Sequence, residues 1–235
     1  MKYMFARSAL ALALGSVFFV QTANAADPAL KTEKDKQSYM VGMSFGKQLK
    51  EIKNDVDLAM VQRGLGDSFN GGATLLTEEE ATAVSNEFRT MLQTKREAEK
   101  VKAGAENTKT GEDFLAKNKT AAGVKTTESG LQYQVMTEGK GAKPKANDQV
   151  KVHYVGTLLN GTKFDSSIDR GQPATFPLNG VIPGWTEALQ LMPVGSKYKL
   201  FIPGKLAYGD AGQPAGGIGP NEVLVFEVEL LEILN

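Results

Sequence analysis

The 235-residue chain has no cysteine, one histidine and one tryptophan, and its charges cancel at 27 Lys plus Arg against 27 Asp plus Glu. Without cysteine there is no disulfide, no thiolate nucleophile and no Cys-based zinc site; with His153 alone there is no histidine cluster for a metal. A Ser-His-Asp triad would rest on His153 by itself, and that residue sits in the alternating run Val150–Tyr154, where it reads as a strand-surface position. Zero net charge leaves no footprint for nucleic acid or an anionic membrane, so neither is an expected partner. No metal and no cofactor are expected. Any chemistry has to run on shape, hydrogen bonds and apolar surface.

Long apolar runs are also missing. The run from Ser8 to Val20 is too short for a membrane span of about 20 residues. It follows Lys2 and Arg7 and precedes Ala23-Asn24-Ala25, the pattern of a secretory leader and its cleavage site. Residues 1–25 are therefore expected to be a signal peptide, removed near Ala25/Ala26. The mature chain would have no transmembrane segment and would act in the bacterial periplasm, with an outer-membrane or cell-surface location as the alternative.

Three helices are expected next. Thr32 and Asp35 form a variant capping box for a helix to about Lys50, with Tyr39, Met43, Gly46 and Leu49 along one face. A second starts at Asp57, carries Leu58, Val61, Leu65 and Phe69, and stops at Asn70-Gly71-Gly72. Thr77 and Glu80 open a third that continues to Asn118, about 60 Å at 1.5 Å per residue. Its apolar positions end near Leu92, so its second half reads as an exposed strut. Residues 28–92 carry more apolar faces than one chain can cover, which favours a homodimer over a small monomeric bundle.

After Gly123 the periodicity turns to alternation. Strands are expected at 130–136, 149–158, 175–178, 196–202 and 223–231, with Asn160-Gly161 as a hairpin turn. One short helix, 183–192, opens on Pro183 and closes at Pro193. An antiparallel sheet with one helix to cover it is an α+β domain, and the space between them can hold a pocket. Trp185, in the first turn of that helix, fits the core and a pocket floor equally well. The same two readings apply to Tyr154, Phe164, Phe176, Val181, Ile182, Tyr208, Ile218 and Phe226; Asp165 is the charged residue placed among them.

Five motifs in this region, His153-Tyr154-Val155-Gly156, Gly161 to Ser167 with Phe164-Asp165, Val181-Ile182-Pro183-Gly184-Trp185, Ala207-Tyr208-Gly209 and Val225 to Leu230, together resemble the FKBP-type peptidyl-prolyl cis-trans isomerases. With its leader and helical N-terminal part, the whole chain is similar to the exported bacterial group that includes the macrophage infectivity potentiators. The resemblance implies a half-barrel sheet wrapped on the short helix at 121–235, a dimerisation domain at 26–76, and a connecting helix at 77–120 whose first part packs in the dimer domain. It implies proline seated on Trp185, walled by Tyr154, Phe164, Val181, Ile182 and Phe226. Phe176 and Ile218 would complete the binding surface. Tyr208 and the Ile182 N–H would hold substrate carbonyls, and Asp165, oriented by Tyr154 and Arg170, would face the rotating one. Substrates would be unfolded or proline-limited exported polypeptides, and macrolides of the kind that inhibit the family would compete. The chain departs from many small members at Ala174, where they carry an aromatic, and at Gln213, where they often carry His. A chaperone or a host-binding surface protein is the competing functional class.

Overall fold

The computed structural model describes residues 30–234; the expected signal peptide lies outside the described residues. The chain divides into two compact units, one ending at Thr77 and the other beginning at Glu78. Among the described residues no helix is long and apolar enough to cross a membrane.

The first unit holds α1 (Glu33–Leu49) and α2 (Leu58–Phe69). The Asp35 N–H donates to Thr32 Oγ1 over 3.1 Å and the Thr32 N–H donates to the Asp35 carboxylate over 2.8 Å. The shorter aspartate therefore closes the capping box as a glutamate would. Asp57 caps α2 by accepting the N–H groups of Ala59 and Met60. Neither helix buries a residue, and Tyr39, Met43, Phe45, Leu58, Met60, Leu65 and Phe69 all stand exposed.

The second unit begins with α3 (Glu78–Asn118) and continues through β1 (Val124–Thr126), β2 (Gln132–Thr137), β3 (Gln149–Leu158), β4 (Lys163–Ser166), β5 (Ala174–Pro177), α4 (Pro183–Leu191), β6 (Lys197–Ile202) and β7 (Leu224–Leu234). The strands form one antiparallel sheet in the order β1-β2-β6-β7-β3-β4, with β5 also paired to β3. Strand β3 shows why the sheet is one-sided: Val150, Val152, Tyr154 and Leu158 are buried, while Lys151, His153, Val155 and Thr157 between them are only half-buried. The buried face packs against Trp185, Ala188 and Leu189 of α4, with Leu200, Ile202, Leu224, Phe226, Val228 and Leu230 completing the core.

The expectation of an α3 second half with nothing to bury is corrected by its last turns. Gly104, Asn107, Gly111, Phe114, Leu115 and Asn118 share one face at helical spacing, and that face lies on the sheet unit. The Phe114 ring is 5.8 Å from that of Phe201. The Gln132 amide donates to the Leu115 carbonyl over 2.9 Å, and the Asn118 amide donates to Gln132 Oε1 over 2.8 Å. Four of these six residues are glycine or asparagine, so an apolar periodicity does not reveal the face.

Candidate active site

Between the sheet and α4 lies a cavity of about 620 Å³. It is lined by Tyr154, Phe164, Asp165, Phe176, Val181, Ile182, Trp185, Tyr208, Ile218 and Phe226, every expected site residue except Arg170. Three lining residues carried no expectation as site members: Gly180, Gln213 and Gly216. Two of these present only backbone, which leaves no side-chain signal in a sequence.

Each part of the lining follows from a local feature. The β3–β4 hairpin closes through Leu158 and Thr162, whose N–H to carbonyl distance is 2.9 Å. Consecutive strand residues normally face opposite ways, yet Phe164 and Asp165 both reach the cavity. The β3–β4 register slips between Gly156 and Thr157, and such a slip twists an edge strand. Gly156 pairs with Asp165 on one side and Phe226 on the other, and a Cβ there would lie 2.7 Å from the rings of Phe164 and Phe226. The glycine leaves the room those two rings occupy.

Pro183 starts α4 at a position where a missing N–H costs nothing, so Trp185 sits in the first turn and faces the sheet. Its ring meets Tyr154 at 5.1 Å and 89°, Phe176 at 5.7 Å and 90°, and Phe226 at 5.2 Å and 76°. Edge-to-face contact is the arrangement aromatic quadrupoles prefer. Trp185 Nε1 is buried and has no hydrogen-bond partner among the described residues. Packing, with no hydrogen bond, therefore sets the orientation of the indole. This joins the two readings of the aromatic set: the residues are core on one side and pocket on the other.

One edge of the cup is polar. The Tyr154 hydroxyl and the Arg170 guanidinium both donate to the Asp165 carboxylate, and Arg170 also donates to the Tyr154 oxygen over 2.8 Å. The Arg170 head lies 5.5 Å from the centre of the Tyr154 ring. Burial pushes the Asp165 carboxyl up, but the hydrogen bonds from Tyr154 and Arg170 outweigh it and hold the group below the usual aspartate value. Burial, then the bond to Asp165, pushes the Tyr154 phenol up. Arg170 is held more firmly protonated by its bonds to Tyr154 and Asp165. At neutral pH the site thus presents a fixed carboxylate, a neutral phenol and a cation.

The opposite edge is a flap running from Tyr208 to Ile218. Gln213 and Ile218 exchange backbone hydrogen bonds of 2.8 and 3.0 Å across its tip, Ile218 is buried against the core, and Tyr208 stands at the rim. The Tyr208 hydroxyl and the Ile182 N–H have no hydrogen-bond partner among the described residues.

Comparison with known proteins settles the family. Residues 140–231 match the family model of the FKBP-type peptidyl-prolyl cis-trans isomerases, and residues 34–135 match the domain amino terminal to FKBP-type peptidyl-prolyl isomerase. The Outer membrane protein MIP of Legionella longbeachae is 45% identical over 216 residues, 91% of this chain and 92% of that protein. The chain belongs to the FKBP-type peptidyl-prolyl cis-trans isomerases. It is also 50% identical over 210 residues to the FKBP-type peptidyl-prolyl cis-trans isomerase FkpA of Aeromonas hydrophila, covering 86% of this chain and 77% of that protein. The crystal structure of FkpA from Escherichia coli superposes with a TM-score of 0.68 at 39% identity, covering 87% of this chain and 98% of that one. The expected α+β class, with a helical N-terminal part before an FKBP-type domain, is what this isomerase has. Its reaction is the cis-trans isomerisation of peptide bonds that precede proline.

Proposed function

We propose that this FKBP-type isomerase turns X–Pro bonds in exported polypeptides in an apolar pocket without a covalent intermediate, with the proline ring seated on Trp185. The observation that carries this reading is a cup walled by aromatic rings with one fixed carboxylate at its edge. Rotation about a peptide bond faces a barrier of roughly 18–20 kcal/mol because it breaks amide resonance. Lowering that barrier by about 5–6 kcal/mol gives a rate gain of about 10⁴. The twisted amide is less polar than the planar one, so a site that withholds water favours it over the ground state. No bond is broken, and no nucleophile is called on.

In this reading Tyr154, Phe164, Val181, Ile182 and Phe226 wall the ring, and Phe176 supports the indole from below. The free Ile182 N–H and the free Tyr208 hydroxyl take substrate carbonyls, and Ile218 closes the flap over the residue next to proline. Asp165, held by Tyr154 and Arg170, faces the rotating carbonyl. Refolding of a proline-limited protein tests the whole reading. The isomerase should speed the slow phase, a macrolide of the kind that inhibits the family should abolish the gain, and a gain that persists at saturating macrolide would place the active surface elsewhere.

We further propose that residues 28–92 form a homodimer, on the ground that α1 and α2 bury no residue within one chain. Two pockets in one particle would hold an unfolded chain by multivalency, which supports a chaperone role beside isomerisation. The leader pattern at 1–25 supports a periplasmic site of action. The corresponding division is 26–76 for dimerisation, 77–120 for connection and 121–235 for catalysis. Light scattering that gave the mass of one chain across micromolar concentrations would overturn the dimer.

A further inference from the structure

Asn107 lies on α3, outside residues 140–231 that match the isomerase family model. Its side-chain amide nevertheless donates to the Pro220 carbonyl over 2.9 Å, and a Cβ on Gly219 would lie 3.2 Å from Asn107 Nδ2. The helix therefore seats this amide on the Gly219–Pro220 step. That step joins Ile218, a buried wall of the pocket, to Asn221. Asn221 has a φ of 55°, a left-handed conformation uncommon outside glycine but tolerated by asparagine. It is fixed there by its N–H, which donates to the Gly209 carbonyl over 2.8 Å, and by its side-chain amide, which donates to Asp210 over 2.7 Å. Gly209 and Asp210 directly follow Tyr208. One knot thus ties the two ends of the flap together, and Asn107 grips it from the helix side.

We propose that Asn107 is a positioning residue for isomerisation: it sets the spacing of Tyr208 and Ile218 across the pocket mouth, and α3 is part of the frame of the active site. This rests on the reading of Tyr208 as a substrate holder. Residues 211–217 of the flap are almost all exposed, and their backbone hydrogen bonds are local turns within the flap, closed by the bridge from Gln213 to Ile218. A segment with so few buried contacts has low local stability, and its base decides where it stands. Loosening the base leaves Trp185 and Asp165 in place. It adds an ordering cost that substrate binding has to meet, so KM rises while kcat holds.

The test is steady-state kinetics of the full chain on short prolyl peptides. Asn107→Ala removes the amide, and Asn107→Asp keeps its size but cannot donate. Lys109→Ala, at an exposed position paired with Asp113, controls for change on the same helix. Both Asn107 variants should raise KM about three- to tenfold, the range that one neutral hydrogen bond supports. In both, kcat should stay within about twofold and the Ile218 and Asn221 amides should exchange faster, with Lys109→Ala unchanged. An unchanged KM in both Asn107 variants overturns the inference, as does a fall in kcat alone that tracks loss of folded protein. Tyr208→Phe shows whether the reading beneath it fell too: a raised KM there keeps that reading, and an unchanged KM removes it.

Discussion

Gly111 of the long helix faces Val223 so closely that a Cβ on the glycine would lie 2.6 Å from Val223 Cγ2. Two turns earlier, Gly104 leaves more space, with its nearest neighbours on Asn221 and Pro220 at 3.5 Å. The same substitution should therefore have opposite effects. Gly104→Ala should stabilise the protein by up to about 1 kcal/mol through helix propensity. Gly111→Ala should destabilise it, because Val223 is stiff and buried and its displacement outweighs that gain. Thermal unfolding of the two variants checks the sign of each.

The Trp185 indole makes edge-to-face contacts with three rings and no hydrogen bond among the described residues. Trp185→Ala should cost about 3–5 kcal/mol of stability as well as activity. Trp185→Leu keeps an apolar floor and should retain the fold, while lowering kcat/KM for prolyl peptides. Wild-type turnover by a folded Leu variant would sink the pocket-floor role.

Asp165→Ala should lower kcat/KM by about tenfold with the fold intact, less than removal of a dedicated charge-stabilising donor costs. Full activity in a proline-coupled assay would remove any catalytic role for this carboxylate.

The same residue predicts a pH dependence of stability. The folded carboxyl titrates below the unfolded one, whose value is about 3.9. As pH falls, the unfolded chain takes up the proton first. The stability due to the Tyr154–Asp165–Arg170 cluster is thus complete above the unfolded value and is lost as pH drops through the folded one. Asp165→Asn should lower Tm at neutral pH, and the gap to wild type should close below about pH 4. A gap that widened in acid would contradict the assigned direction. The carboxylate is two-fifths exposed, so solvent screening keeps the effect modest.

Met43→Glu, on the uncovered face of α1, should halve the particle mass by light scattering. Isomerisation of short peptides should be unchanged, and suppression of aggregation of an unfolded protein should fall. Equal suppression by the monomer would separate chaperoning from dimerisation.

Much of the second unit was legible because its signals are local. The expected strand at 149–158 is β3 to the residue, since ten alternating positions leave one register in which the apolar set is buried. Strand β1 has three residues, too few for alternation to register, whereas the four-residue β5 at Ala174–Pro177 lies one residue from the expected 175–178. Asp165 was placed beside the aromatic lining because it follows Phe164 after a readable hairpin turn. Gly180 and Gly216 were missed as lining because backbone contributes surface without a side-chain pattern. The docked end of α3 escaped for a related reason: Gly104, Asn107 and Gly111 work by closeness and a single amide, and no hydrophobic count detects either.

Because the one tryptophan of the chain also lines the cavity, its emission is a built-in, label-free reporter. Any peptide or inhibitor entering the cup alters the environment of that single fluorophore. Affinities for the unmodified protein can therefore be titrated directly, and bulk tyrosine signal can be avoided by exciting the indole alone.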